Sequence, residues 1–525
     1  MIKEVLLTVT PMVAGEDVML RKEIAKKLSV SSNDINGYRI TKKSMDARHT
    51  IKINLTITVF LGEEPVQETF SHKYNFVGNN ESVIVVGAGP AGLFAALQLI
   101  ELGLKPIILE RGKDISSRKK DIALISTNGI INTESNYCFG EGGAGTFSDG
   151  KLYTRSNKRG NIKHIFHVLH FHGAKAEIMY EAHPHIGTDK LPEIIKKIRQ
   201  TILDCGGEVH FDTKMSELII SDNTIKGVKT TGGETIMARS VVLATGHSAR
   251  DIYELLDHQN IRLESKSFAM GVRIEHPQSL IDKIQYHNDI RDPYLQAASY
   301  SVAVQVRERG VYSFCMCPGG YIVPSATAMD EIVVNGMSSS RRHTPFANAG
   351  MVVEIREEDY PEYHKFGVLG GLHYQKNLEI LSHQNGHMGQ SAPAQRMMDF
   401  VNGKASASLP DSSYTPGIHT SPLHTWLPEN IGKRLQEGFL QFDKKMNGFL
   451  SNEAYIAGVE SRTSSPVRIP RIAETMQHTE IKGLFPCGEG SGYAGGIVSS
   501  AMDGENAAVE IGRYLGYQPY DNKNS

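Results

Sequence analysis

Hydrophobic and polar positions alternate with period two over IKEVLLTVT, GYRITKKS and TIKINLTITVF, the mark of half-buried strands, whereas DVMLRKEIAKKL repeats its apolar residues at helical spacing. The order strand, helix, strand, strand predicts a small α+β domain over residues 1–80, closed by the turn-prone Gly78, Asn79 and Asn80. From Glu81 the pattern becomes strand, glycine turn, helix, strand, the start of a doubly wound α/β domain. It runs on through LPEIIKKIRQTILDCGGEVHF, a helix then a strand, to SVVLATG at residues 240–246. Between about residues 260 and 455 the alternation breaks into short strand-like runs and polar turns, read as an inserted substrate domain over 261–455. The α/β pattern returns with GLFPCGEG and a final helical stretch, so residues 456–525 are expected to complete the domain begun at 81–260.

The strongest chemical signal is SVIVVGAGPAGLFAALQLIELGLKPIILERG at residues 82–112. Val83 to Val86 read as a buried parallel strand, and Gly87, Gly89 and Gly92 suit a tight turn, close approach of a pyrophosphate and close helix packing. Pro90 and Ala91 open the helix, whose free N–H groups and positive end would face phosphates. PIILE then returns as a strand ending in Glu110, 23 residues after Gly87, where a carboxylate accepts from ribose hydroxyls. Glu110 would repel a ribose phosphate, with only Arg111 as a nearby counter-charge, so FAD or NAD fits better than NADP. Both share the adenosine diphosphate half, and this stretch does not choose between them.

Two further segments match G-x-G-x-x-G. GEGGAG at residues 140–145 follows no strand and precedes no helix, and GSGYAG at 490–495 has no second strand after it. Neither is an independent nucleotide turn. Glycine clusters are entropically costly and mark close backbone approach, and a long dinucleotide such as FAD gives several loops a reason to come close.

On VGAGPAGLFAALQL, GEGGAGTFSDGKLYTR, SVVLATGHSARD, FAMGVRIEHPQ, YSFCMCPGG and SPVRIPR followed by GLFPCGEGSGYAGGIVSSAMDG, the chain resembles the FAD superfamily of glutathione-reductase-type fold. More narrowly it resembles a bacterial family of uncharacterised FAD-dependent dehydrogenases, over nearly its whole length. The resemblance implies one FAD held in a Rossmann-type domain split by an insertion. It places Gly143, Gly145, Thr146, Ser148 and Asp149 on the flavin side, with Ala244, Thr245 and Gly246 in a strand-end turn near the dinucleotide. Gly488 and Glu489 stand where the superfamily has Gly-Asp, and the helix starting near Gly496 and Ile497 would aim its amino end at the flavin.

Composition narrows the partners. The 525 residues are 40% hydrophobic and 22% charged, with Lys plus Arg at 56 against Asp plus Glu at 58, so no overall field favours nucleic acid or anionic membrane. The amino terminus has no basic region ahead of a sustained apolar run, which predicts no signal peptide, and five scattered cysteines suit a cytoplasmic protein rather than a disulfide framework.

A bound flavin handles hydride and electron transfer itself, leaving substrate and proton handling to the protein. Alternation puts Cys315 and Cys317 on one strand face, as a redox thiol pair or two small buried side chains. Cys138 lacks the nearby second cysteine of a disulfide reductase. His183 and His185 lack further ligands at metal spacing, so no metal is expected. His247, directly after ATG, is a candidate acid/base; Arg273, Glu275, Arg462 and Arg468 could clamp an anion or pair within the fold. The expectation is an FAD-dependent oxidoreductase acting on a small molecule, either with NAD(P)H as a transient donor or as a dehydrogenase that passes electrons to a quinone or protein acceptor. The rival is an RNA-modifying or RNA-binding flavoprotein using the amino-terminal domain, where Lys42, Lys43, Arg48 and Lys52 cluster, as adaptor.

Overall fold

The computed structural model describes residues 1–65, 72–154 and 160–517. Residues 66–71 and 518–525, and Arg155 at the end of GEGGAGTFSDGKLYTR, lie outside them. In chain order, β1 (Ile2–Val9), α1 (Asp17–Leu28), β2 (Ile35–Asp46) and β3 (Lys52–Leu61) build an antiparallel sheet of order β1-β3-β2. β3 alternates because one face buries Ile53, Leu55, Ile57 and Val59 against Leu20 and Ile24 of α1. This unit docks through Lys43, whose N–H donates to the Tyr180 carbonyl at 2.8 Å and whose ammonium pairs with Glu181 at 2.9 Å. Arg48 pairs with Asp46 at 2.6 Å, so half of the basic cluster is already neutralised.

β4 (Ser82–Val86), α2 (Pro90–Glu101), β5 (Lys105–Leu109), α3 (Leu191–Asp204), β6 (Glu208–His210) and β7 (Val241–Leu243) follow. Then come β8 (Phe268–Pro277), β9 (Arg309–Cys317), β10 (Gly320–Pro324), β11 (Val334–Ser338), β12 (Phe346–Ile355), α4 (Gly370–Gln384), α5 (Glu429–Lys445) and β13 (Tyr455–Glu460). β14 (Leu484–Pro486) and α6 (Ile497–Leu515) return to the first sheet. That sheet is wholly parallel, order β14-β7-β4-β5-β6, and its central strand β4 is apolar and buried from Val83 to Val86. The α/β reading of a Rossmann-type parallel sheet holds, with β14 supplied from the far end of the chain.

The region between β7 and β14 is more regular than expected. β8, β9, β12 and β13 belong to a seven-stranded, mostly antiparallel sheet, and α4 and α5 run 15 and 17 residues. β8 is buried from end to end except its last residue, so it shows no period of two, and it carries Arg273, Glu275 and His276 inside. Among the described residues, no helix is long and apolar enough to cross a membrane.

Candidate functional site

A cavity of about 390 Å³ opens at the carboxyl ends of β4, β5, β7 and β14, where open parallel sheets bind ligands. Gly87 turns out of β4 at φ +106°, and a Cβ there would stand 2.4 Å from the Ala244 carbonyl at the end of β7. Gly92, one turn into α2, lies so close to β4 that a Cβ would meet the Gly87 carbonyl at 1.9 Å; it packs the helix and does not line the cavity. α2 begins at Gly89 with Pro90 in its first turn, and α6 begins at Gly496. Neither end has a side-chain cap, and both line the cavity with Ala91 and Ile497. Two positive helix ends thus share one space.

The other glycine segments close on this turn. A Cβ on Gly143 would stand 3.1 Å from Gly89 Cα, one on Gly145 3.2 Å from Ile497, and one on Gly488 2.9 Å from Ala91. The fully buried Arg118 shapes the segment before Gly143, donating to the carbonyls of Asn136, Tyr137, Gly140 and Glu141. Thr146 turns its hydroxyl to the Glu141 carbonyl at 2.9 Å, and it is absent from the cavity wall where Gly143, Gly145, Ser148 and Asp149 stand. Asp149 is held bidentately by Arg342 at 2.6 and 3.1 Å, which outweighs its burial and keeps its carboxyl below the usual range. On the far side Asp503 of α6 accepts from the Gly488 N–H at 2.7 Å and from Arg471 at 2.6 and 2.9 Å, fixing the turn before Glu489.

Glu110 does more than the spacing implies. Its carboxylate accepts from the N–H groups of Ala88, Gly112 and Gly140, each at 2.9 Å, and so ties the first glycine turn to the second. Arg111 reaches the rim but is spent on Glu134 at 2.6 Å and Asp251 at 2.8 Å, its guanidinium 4.2 Å from the Phe139 ring centroid.

Ala244, Thr245, Gly246 and His247 bring the β7 turn into the wall. Burial disfavours a charged His247, but Glu489 at 3.3 Å from Nδ1 outweighs it and raises the imidazole above its ordinary value. Cys138 faces the same wall, with Ser325 Oγ at 3.6 Å and Arg462 at 3.8 Å; burial opposes its ionisation, yet Arg462 and its other neighbours hold the thiol below the usual range. Arg462 is no free anion clamp. It pairs with Glu331 at 2.8 Å and Glu379 at 2.9 Å, and Arg250 meets the same two carboxylates at 3.1 and 2.7 Å, a buried box of four charges.

The expectation that Cys315 and Cys317 share a face by simple alternation is corrected. β9 pairs Phe314 with Gly350 and Cys317 with Asn348, so one extra residue is inserted, and Cys315 takes a left-handed φ of +44°. This bulge presents Cys315 to the cavity and leaves Cys317 fully buried behind it. Arg273 and Glu275 are likewise interior: Arg273 pairs with Glu460 at 2.8 Å, and Glu275 accepts from Tyr455 at 2.7 Å. Arg468 sits 4.0 Å from Glu264, away from the cavity wall. Arg342, Lys151, Asp503 and the Glu331–Glu379 pair escaped sequence reasoning, because their partners lie far along the chain.

Residues 82–136 match a family model described as FAD binding domain, residues 267–463 one described as FAD-dependent protein, C-terminal domain-like, and residues 1–60 a domain of unknown function. An uncharacterised protein of Clostridium beijerinckii is 40% identical over 514 residues, spanning 94% of this chain and 95% of that protein. Among solved structures, glycine oxidase from Bacillus cereus is similar at TM-score 0.30 and 13% identity, over 85% of this chain and 100% of that one. A flavoprotein/dehydrogenase from Cytophaga hutchinsonii is similar at TM-score 0.34 and 11% identity, over 84% and 80%. The parallel sheet, its glycine turn and the FAD-binding match define an FAD-dependent oxidoreductase. More narrowly, the chain belongs to the same family of FAD-dependent proteins as the Clostridium beijerinckii relative. The cavity fits that cofactor: Gly246 and Gly495 line it, and no atom lies within 4 Å of where their Cβ atoms would be, so both keep open space a side chain would fill.

Proposed function

We propose that this enzyme passes a hydride or an electron pair between a small-molecule substrate and NAD(P)H within the one glycine-lined cavity. The carrying observation is the meeting of two uncapped helix ends, α2 and α6, on that cavity. Bound FAD supplies the redox chemistry. In this reading Gly87, Gly89, Pro90 and Ala91 hold the pyrophosphate at the α2 end, and Glu110 adds a ribose contact to its backbone bonds. Ala244, Thr245, Gly246 and Gly488 line the dinucleotide's path, and Gly496 and Ile497 bring the α6 end to the flavin ring. Gly143, Gly145, Ser148 and Asp149 close the cavity from the loop side.

His247 holds or releases a proton at Nε2, oriented through Nδ1 by Glu489, the geometry of an acid/base group. Residues 261–455 form the substrate side of a flavin domain made of 81–260 and 456–525, with 1–80 docked beside it. The parallel sheet carries one dinucleotide turn, so the nicotinamide donor enters the open cavity and leaves again. All five cysteines are free, which supports a reducing, cytoplasmic setting.

The test is the visible spectrum of the anaerobic holoenzyme before and after NADH or NADPH. Rapid bleaching by either supports the reading; a flavin that stays oxidised with both refutes the nicotinamide donor.

A further inference from the structure

The thiol pair beside the cavity is not used by the reading above, and its surroundings are more elaborate than two packed cysteines need. Cys315 lines the cavity, whereas Cys317 has no exposed surface. A left-handed φ at a non-glycine residue is unfavourable and persists where the surroundings enforce it. Here the enforcement is visible. Arg273 donates to the Cys315 carbonyl at 2.8 Å and to Cys317 Sγ at 3.5 Å, and the Cys317 thiol donates to the same carbonyl at 3.3 Å. Arg273 is itself fixed by Glu460 at 2.8 Å and Asn348 at 2.9 Å. Its guanidinium lies against Gly336, where a Cβ would stand 2.0 Å from Nη2, so the strand opposite is kept bare to admit it.

A second cation stands on the other side. Lys151 lines the cavity and donates to the Met316 carbonyl between the two cysteines. The charged groups around the pair are therefore Lys151 and Arg273, with Asp149 and Glu460 as their counter-ions. Arg342 binds Asp149 at 2.6 Å, so that carboxylate is shared and Lys151, 3.9 Å from it, keeps part of its charge for the thiols. The exposed member of the pair is the one that ionises, because a thiolate at Cys317 would be sealed from water.

The geometry points to Cys315 and Cys317 as a dithiol that reduces an organic disulfide entering the cavity. The Cys315 thiolate attacks one sulfur of the substrate; a sulfur–sulfur bond forms between them and the substrate's own bond breaks, releasing one thiolate. Cys317 then attacks Cys315 sulfur. The mixed disulfide breaks, the Cys315–Cys317 disulfide forms, and the second substrate thiol leaves with the Cys317 proton. Two electrons pass from the cysteine pair to the substrate, which is reduced to two thiols. The buried second thiol is what selects this substrate class, since a lone nucleophile would need none behind it. The proposal builds on the reading of this cavity as an oxidoreductase site, but it is read on sulfur, so the two fail separately.

The test exposes the reduced holoenzyme to glutathione disulfide and follows released glutathione and the protein's mass, with the flavin spectrum recorded on the same sample. The expected result is two glutathiones released per chain, no adduct, and a peptide in which Cys315 and Cys317 are joined. Cys317→Ser should stop at one glutathione released, with one glutathionyl group on Cys315, and Cys315→Ser should not react at this site. Should the Cys317 variant fail to fold, the wild-type enzyme answers by site-resolved iodoacetamide alkylation across pH. Alkylation of Cys315 is expected to reach half its full rate well below the ordinary thiol range, because the adjoining Cys317 thiol and the cations Lys151 and Arg273 favour its thiolate. Alkylation only near the ordinary thiol value of about 8.5, an adduct on Cys138, or inert thiols in a protein that holds its flavin would overturn the proposal. Disulfide formation in a protein that holds no flavin would uphold it while removing the flavin reading.

Discussion

Glu489 stands 3.3 Å from Nδ1 of His247, and the opposite nitrogen of the same imidazole, Nε2, is buried at the cavity wall with no hydrogen-bond partner among the described residues. A carboxylate that orients one nitrogen and leaves the other unengaged is the arrangement an acid/base histidine needs. The Glu in place of an Asp supplies the extra methylene with which the carboxylate extends from the β14 turn toward the β7 turn.

The pairing predicts the behaviour of the imidazole. Glu489 favours the protonated form, so its contribution to stability is fully present below the ordinary histidine value and fades as pH rises through the raised one. Glu489→Gln should lower the His247 titration midpoint, read by NMR of the ring protons, and move the matching limb of the activity profile with it. An unmoved midpoint would show that Glu489 is not the cause.

Gly92→Ala is expected to separate helix from strand. Its Cβ would sit 1.9 Å from the Gly87 carbonyl, a backbone atom that cannot rotate aside. Stability should fall by about 1–3 kcal/mol or more, as overpacking does, with a lower flavin-to-protein absorbance ratio because the same carbonyl shapes the turn. Thermal unfolding and the visible spectrum check both halves.

Glu379 is the keystone of the four-charge box. Burial alone would raise its carboxyl, but Arg250 and Arg462 pull it down to about 2. Its stabilisation is present above the ordinary value of 4.5 and is lost as pH falls from there toward 2. Glu379→Gln should cost about 3–5 kcal/mol at neutral pH, the cost of leaving buried charges unpaired, and should flatten that acid limb of the urea-unfolding profile.

The β4-α2-β5 unit was open to reading because three signals coincide there: a continuous apolar run, glycines at fixed offsets and an acid at the strand's end. The convergence of three glycine segments followed from the cost of glycine itself. What escaped is long-range or irregular. Asp149 finds Arg342 and Arg462 finds Glu379 only after folding, and no local pattern encodes such pairs. β8 is buried on both faces and so loses the alternation that marks a strand, and the Cys315 bulge breaks a register that alternation assumes. α5 was legible and was missed: Ile431, Leu435, Phe439 and Phe442 form a helical stripe, interrupted to the eye by Gly432 and Gly438.

Gly336→Ala tests the cation behind the thiols without touching either cysteine. The added methyl would press on Arg273 Nη2 at 2.0 Å and on Asn348 Oδ1 at 2.1 Å, so the guanidinium must move. Alkylation of Cys315 at acidic pH, within its own titration range, should slow severalfold, while that of Cys138 stays unchanged. Equal rates in both proteins would mean that Arg273 does not support the thiolate.

The most direct measurement is the cofactor itself: chromatography and mass of what denaturation releases from the purified protein, set against protein concentration. The structure and family predict FAD at close to one per chain, and a yellow protein before release. A colourless protein that takes up no added FAD would contradict the account at its centre.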